Sequence, residues 1–468
     1  MSSGPDAPLF IEPRLGRPLG NPGSPSNAAQ ADSAATADSR ALSLAPGRRL
    51  RTRVAGIFLF LPLLARVQFN QIIGQAGYPD SRMVSATSAW LSLLALKLLD
   101  KERRSHINDF SFDEALGLFA GLNILPKKSY VTDYSYQTQR RHQEKLLSGW
   151  IAALAALLFP EPQAFALDFH PIAYRGDPSG LENHYLPRRG KADTSVLTFF
   201  AHEQDSRVLC YANANLTRAD QDGEAMHFVE FWHALTGTDP QWLYFDSKLT
   251  SYAELSRLNQ RHISFVTIRR RGAAVLRRLR ALPSTVWKKA VIDIPKRRHK
   301  SIRYVAETIR LKGYEGTIRQ LAVMGLGREE PTLMLANNEE ETARNTITRY
   351  AQRNRIEDGL GISVNFFHLD CLASEVRLNV DVDVALTVLA NGCYRWLAKQ
   401  LRGFDKAAPK QLYRKFVETG GVVEIQPERI VVHFDKRAHN PILREAALDS
   451  EPVKTPWLGN LPVAFAFP

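Results

Sequence analysis

The feature that most constrains this chain is a change of texture at Phe165. Before it the pattern is helical. SATSAWLSLLALKLLDKE carries Leu and Trp at helical spacing, with Ser88 as a candidate cap. FDEALGLFAGLNILPKKSYVTDYS has an acidic first turn at Asp113 and Glu114, a turn at Gly121 and a Pro126 suited to opening another helix. YQTQRRHQEKLLSGWIAALAALLF reads as a further long helix. From Phe165 onward, AFALDF, SVLTFFAH, RVLCYANA, WLYFD and ISFVTIRR are short runs rich in β-branched and aromatic residues. Helical stretches, GEAMHFVEFWHAL and LTSYAELSRLNQ, separate the last three. Three strands in meander order, then helix, strand, helix, strand, predict an α/β fold with a mixed sheet.

Charge sharpens the division. Residues 261–320 hold 17 Lys and Arg against Asp293, Glu307 and Glu315, a surplus of +14. The whole chain carries +13, so the remainder is close to neutral. The second half of this segment also reads as strands, in SIRYVAETIRL and GTIRQLAVMGL. One β-rich module therefore carries the basic excess, which favours a polyanionic partner. After it come a strand, TLMLAN, a long helical pattern, EETARNTITRYAQRNRIEDGL, an apolar helix, VALTVLANGCYRWLAKQL, and a β hairpin at VVEIQPERIVVHF.

The remaining features exclude classes. Residues 1–48 are rich in Pro, Gly, Ala and Ser without a lasting period, so a disordered tail is expected. Cys210, Cys371 and Cys393 form no CxxC pair, against a disulfide framework or a Cys-based zinc site. Val54 to Ala65 is the longest apolar run, well short of the ~20 residues of a membrane span. It is expected to be a buried helix or turn, and no membrane association is expected. MSSGPDAPLFIEP lacks a basic region leading into an apolar core, so a cytoplasmic protein is expected.

Three carboxylates stand out. Asp168 sits inside an apolar strand, where burial is costly unless a cation or a partner compensates. Asp246 ends WLYFD in the same way. Alone, the first has an ordinary reading as a strand-end turn residue and the second as an N-cap. Tyr350, Arg353 and Glu357 are spaced by three and four, so they share one helix face. That face is either an exposed Arg–Glu ladder or, with Ile347 and Ile356 close by, one turned partly inward. Together the three acids would form a divalent-cation site of oxygen ligands. His170 is either a partner behind such a ligand or a satisfied core histidine. HYLPRRGKAD carries Arg188, Arg189 and Lys191, a solvated loop by default and a backbone contact otherwise. Asp113 to Ser135 is a candidate helix-turn-helix, with simple helical packing as its alternative.

AFALDF, YFDSKLTSYAELSRLNQRHISFVTIRRR, and TLMLANN leading into Tyr350, Arg353 and Glu357 resemble the insertion-sequence DDE transposases. The branch is the one with a Tyr-Arg-Glu-Lys signature and a β insertion before the glutamate. The resemblance covers about residues 110–400. Its strength is order and context: Asp168 on a strand, Asp246 on a later strand, then the basic module, then Glu357 on a helix. It implies an RNase H-like mixed-sheet catalytic core at 163–270 and 331–402, interrupted by a basic β-rich insertion at 271–330. An N-terminal helical, DNA-binding domain would occupy 49–162, and a C-terminal region with a β hairpin 403–468.

The resemblance further implies metal-dependent cleavage and strand transfer at the ends of an insertion sequence. Asp168, Asp246 and Glu357 would hold two Mg²⁺, with Mn²⁺ able to substitute. Tyr350 and Arg353 would meet a phosphate, and Lys296, Arg297, Arg298 and Lys300 would clamp double-stranded DNA, both terminal inverted repeats and target. A homodimer on DNA, in a prokaryotic nucleoid, is the matching expectation. The chain departs from the signature at Val364, where the family's backbone-associated lysine would fall. The alternatives are an inactive or domesticated DNA-binding relative and an RNase H-like nuclease without strand joining.

Overall fold

The computed structural model describes residues 42–160, 163–174, 181–186, 189–246, 251–292, 300–326, 329–369 and 377–468, without the side chains of 215, 354–358 and 377–379. Its first strand, β1 (Arg49–Thr52), leads into an apolar segment, Ala55–Phe60, and helix α1 (Leu61–Arg66). This is the run expected as a buried helix or turn. It is buried throughout, and Pro62 opens α1 where its missing N–H costs nothing. Helices α2 (Phe69–Ala76) and α3 (Ala86–Leu98) follow. The cap of α3 is Ser85, whose side chain accepts from the Ser88 N–H, while Ser88 itself is buried. Helices α4 (Glu114–Phe119) and α5 (Lys128–Tyr136) form the Asp113–Ser135 segment. All of α4 after Glu114 is buried, as the packing alternative requires. Helix α6 (Arg140–Leu158) completes this layer.

The larger sheet begins with β2 (Ala164–Ala173), β3 (Glu182–Leu186), β4 (Lys191–Glu203) and β5 (Leu209–Leu216). Helix α7 (Glu224–Thr236), β6 (Trp242–Phe245), α8 (Tyr252–Gln260) and β7 (Ser264–Arg269) continue it. The basic segment supplies α9 (Ala273–Arg280), β8 (Lys288–Val291), β9 (Ser301–Ile309) and β10 (Ile318–Met324), and β11 (Thr332–Ala336) closes it. The strand order is β3-β4-β2-β6-β7-β11-β10-β9-β8, with β5 beside the second half of β4. Strands β2, β4 and β5 are antiparallel, whereas β6 and β7 run parallel to β2. The expected mixed α/β architecture is present, and the basic module prolongs the same sheet through β11.

Alternation sorts the strands between two faces. Phe165 meets Phe228 and Trp232 of α7 at ring centroids of 5.1 and 4.6 Å. A buried phenylalanine of this kind contributes about 2–3 kcal/mol. Tyr244, Val266, Met334 and Ile347 pack on the opposite face. That face is covered by α10 (Ala343–Gln352) and α11 (Asn354–Asn365), then by α12 (Arg377–Gln400). The single expected helix is interrupted at Arg353, whose backbone nonetheless stays right-handed helical. Lys97 ties α3 to α12 through a 3.0 Å ion pair with Asp383 and a bond to the Phe367 carbonyl.

Two boundaries differ from expectation. Residues 42–48 are docked, not tail: the Ser43 N–H donates to Asn123 Oδ1 at 2.8 Å and the Gly47 N–H to the Ile425 carbonyl at 2.7 Å. Residues 1–41 lie outside the described residues. The helical 49–162 and the C-terminal 403–468 are not separate either. Helices α13 (Pro409–Leu412) and α14 (Asn440–Ala446) accompany β12 (Gly421–Ile425), β13 (Ile430–Phe434), β14 (Lys454–Thr455) and β15 (Leu461–Ala466). Strand β1 joins them in a second sheet ordered β1-β12-β13-β15-β14. Cys210 and Cys393 are buried free thiols, and Cys371 lies outside the described residues. Among the described residues no single helix is long and apolar enough to cross a membrane.

Candidate active site and basic face

Strands β2 and β6 pair in parallel, Ala164 with Trp242 through Ala166 with Tyr244. Asp168 stands two positions beyond Ala166 within β2, and Asp246 follows the last residue of β6, two positions beyond Tyr244. The pairing ends at Ala166 with Tyr244, so the parallel ladder brings the two aspartates to the same end of the β2–β6 pair, each two residues past its last partner. Both belong to the even-numbered face of their strands, the one covered by α10 and α11. The carboxyl ends of neighbouring parallel strands are where an α/β sheet delivers side chains into a crevice.

Arg353 comes to the same place from the helical side. Its guanidinium lies 3.1 Å from Asp168 Oδ2, with side chains only 7% and 21% exposed respectively. The Phe169 N–H donates to Asp168 Oδ1 at 3.0 Å. A buried arginine on a carboxylate is charge-assisted and costly to break. Arg353, expected to meet a phosphate, has Asp168 as its partner in this structure. Tyr350 stands beside it, its ring 6.0 Å from the guanidinium carbon, and packs against the Tyr244 face. Glu357 occupies α11 one turn beyond Arg353, and its side chain lies outside the described residues. Asp168 and Asp246 offer hard oxygen donors, which suit Mg²⁺. Among the described residues no group of three or more His, Cys, Asp or Glu is arranged to hold a metal ion.

Val364 lies in α11 and is 5% exposed in the core. A lysine there would be buried.

The basic residues divide three ways. Arg188, Lys296, Arg297 and Arg298 lie outside the described residues. Others are engaged within the protein: Arg189 pairs with Asp193 at 2.6 Å, Arg278 with Glu307 at 2.6 Å, and Arg271 and Arg280 share Glu330. Arg278 holds the Glu307 carboxyl below its usual range. A third set faces solvent. Lys191 is exposed at the start of β4, with a longer 3.7 Å approach to Asp193. Lys288, Lys289 and Arg303 are exposed on β8 and β9, with Lys300 exposed just before β9, and the register sets Lys289 directly opposite Arg303. Like charges so placed repel, a cost that an anionic partner would relieve.

One polar cleft was not anticipated. Glu224, fully buried at the start of α7, accepts from Tyr211 Oη at 2.8 Å and Asn213 Nδ2 at 2.7 Å, and His227 Nδ1 lies 3.1 Å away. These line an open cleft of about 570 Å³ beside α6. GEAMHFVEF reads only as an amphipathic helix, so nothing in it marked Glu224.

No protein-family model and no curated protein matches the chain. Among solved structures it is similar to the piggyBac transposase of a cryo-EM synaptic complex with hairpin DNA. The TM-score is 0.46 at 12% identity, over 79% of this chain and 82% of that one. A likeness at that level does not establish a family.

Proposed function

We propose that the chain is a DNA transposase, cutting phosphodiester bonds at the ends of a mobile element and joining the freed ends to target DNA. The observation that carries this reading is Asp168 on β2 and Asp246 just past its parallel neighbour β6, each two residues beyond the last paired residue, with Arg353, at the junction of α10 and α11, on Asp168. Three antiparallel strands followed by two parallel ones, β5-β4-β2-β6-β7, support an RNase H-like core. Strands β8–β10 support its reading as a core with a basic insertion. The exposed Lys289–Arg303 ridge supports double-stranded DNA as the partner, and a homodimer bringing two ends together, in the cytoplasm, belongs to the same proposal.

Asp168, Asp246 and Glu357 would hold two Mg²⁺ ions, or Mn²⁺ in their place. Such ions, when bound, would activate a water or a 3′-hydroxyl and offset charge building on the phosphate. Arg353 has two partners to choose between. In the free protein it neutralises and orients Asp168. A phosphate entering the crevice offers the guanidinium a bidentate partner, which would release Asp168 Oδ2. Tyr350 braces that exchange from one turn back.

The test is cleavage of DNA carrying the element's ends in Mg²⁺. Asp168→Asn, Asp246→Asn and Glu357→Gln should each lower the rate by more than about a hundredfold, while end binding stays within a few-fold. Near wild-type cleavage by any of them removes that residue from the site. A second reading, a DNA-binding relative without catalysis, is favoured by the buried Arg353–Asp168 pair, because the guanidinium already supplies the charge a cation would bring. It predicts DNA binding with no cleavage in either metal.

A further inference from the structure

Beside α11, away from the carboxylate pair, a small pocket of about 90 Å³ opens between β4, α12 and the 405–409 loop. Strand register fixes its position. His202, which lines it, pairs with Ala166, two residues before Asp168 on β2. Its backbone is therefore on the order of 8 Å from that of Asp168. Gly359 forms the facing wall, close enough that a Cβ there would sit 3.4 Å from His202 Nε2.

The lining is one-sided in its chemistry. Arg395 on α12 is 6% exposed. It donates its two terminal nitrogens to the Ala407 and Asp405 carbonyls, at 3.2 and 2.8 Å, and its Nε makes no hydrogen bond. Asn391, one turn earlier and 5% exposed, uses Oδ1 to accept from the Leu209 N–H at 2.9 Å, which turns its amide donor away from that bond. Lys406 and Arg207 add two further cations at the rim. No described carboxylate lines the pocket. Buried polar groups are normally satisfied, yet this guanidinium hydrogen-bonds only carbonyls and leaves Nε without a partner, with the Asp405 carboxylate the one anion acting on it, through space. Burial, with Arg207 adding to it and Asp405 opposing it, pulls Arg395 down to about 10. A ligand for this lining must be small, negatively charged and rich in acceptors.

We propose that this pocket is a phosphate-binding site, in which Arg395 Nε, the Asn391 amide and the Lys406 ammonium donate to one tetrahedral oxyanion. The phosphate could be free inorganic phosphate or the terminal phosphate of a nucleic-acid strand, and the two present the same acceptors. The site stands on its own lining and does not depend on the transposase reading.

Isothermal titration of the full chain with inorganic phosphate, at constant ionic strength with chloride as the control anion, tests it. Saturable binding of phosphate and not of chloride is expected, with a matching rise in Tm. Asn391→Asp keeps the acceptor for the Leu209 N–H but turns a donor into an anion, and should weaken phosphate binding by about tenfold or more. Lys406→Glu, at an exposed position, should weaken it as well without disturbing the fold. Competition identifies the source. If a 5′-phosphorylated duplex displaces inorganic phosphate and its 5′-hydroxyl counterpart does not, the site takes a strand terminus; if neither displaces it, the site takes the free ion. Absence of saturable phosphate binding to wild type, or unchanged affinity in both folded variants, overturns the proposal.

Discussion

The two halves of the large sheet are built on different terms. In the half from β5 to β7, strands lie between helices on both faces, and Phe165, Leu167, Phe199, Phe200, Leu243 and Phe265 are almost wholly excluded from water. In the half from β10 to β8, burial fades outward. β10 is largely buried, β9 alternates, and β8 is exposed at three of its four residues. The first half spends its sequence on apolar volume and carries Asp168 within β2 and Asp246 just past the end of β6. The second spends it on charge, part of which is consumed in holding the module together. Arg278–Glu307 and the Arg271–Glu330–Arg280 group are internal braces, and only the remaining exposed cations are available to a partner.

The sharpest way to break that comparison is to place the same charge in each half. Val364→Lys buries an ammonium where the native side chain is 5% exposed, and should lower stability by about 3–5 kcal/mol. Val291→Lys on β8, where the native side chain is 57% exposed, should change it by less than about 0.5 kcal/mol. Urea unfolding of the two variants checks both. Equal losses would mean that the outer strands are as tightly packed as the inner ones.

A second prediction separates braces from free charge. Converting Lys288, Lys289, Lys300 and Arg303 to Gln should reduce the slope of log K against log[salt] for duplex DNA by up to about 3–4 units, with a weaker affinity for every sequence. Converting Arg271 and Arg280 to Gln should leave that slope nearly unchanged and lower stability instead. Filter binding across a salt series distinguishes the two sets. An unchanged slope in the quadruple variant would mean that the outer face serves solubility alone.

The difference between the halves also explains what could be read from sequence. Strands buried on both faces appear as apolar runs, so AFALDF, SVLTFFAH, WLYFD and ISFVTIRR were legible. ENHYL, which forms β3, is half-exposed and polar, and RLRT, which forms β1, is short and alternates charge with apolar residues. β1 also finds its partner, β12, near the opposite end of the chain, a pairing that no local pattern encodes. The aspartates were legible because an acid in an apolar strand is conspicuous. That their strands are neighbours was not legible, since 78 residues separate the two and only the β2–β6 pairing brings them together. The Arg353–Asp168 pair was not legible: spacing puts Arg353 on a face, and only packing says which carboxylate that face meets. The phosphate pocket gathers residues from β4, α11, α12 and a loop, none of which forms a motif.

The smallest expected effect concerns pH, where the two halves should respond with opposite sign. Glu307, in the outer half, has its carboxyl lowered chiefly by its hydrogen bond from Arg278. A lowered folded value means that the unfolded chain binds the proton more readily. The pair then contributes stability above the ordinary glutamate range and loses it as pH falls through the folded value. Glu203, in the inner half, is raised by burial, although the Ser206 and Asp205 N–H groups donate to it. Here the folded chain binds the proton more readily, so stability is greatest below the ordinary glutamate range and declines as pH rises toward the folded value. Glu307→Gln should therefore cost about 1 kcal/mol near neutrality and progressively less in acid. Glu203→Gln should remove a neutral-pH penalty, so that its stability relative to wild type improves from acid to neutral. Urea unfolding from pH 3 to 7 measures both differences. If they slope the same way, Glu203 is held as a carboxylate by its N–H donors more strongly than burial opposes it, and the inner half manages its charge as the outer half does.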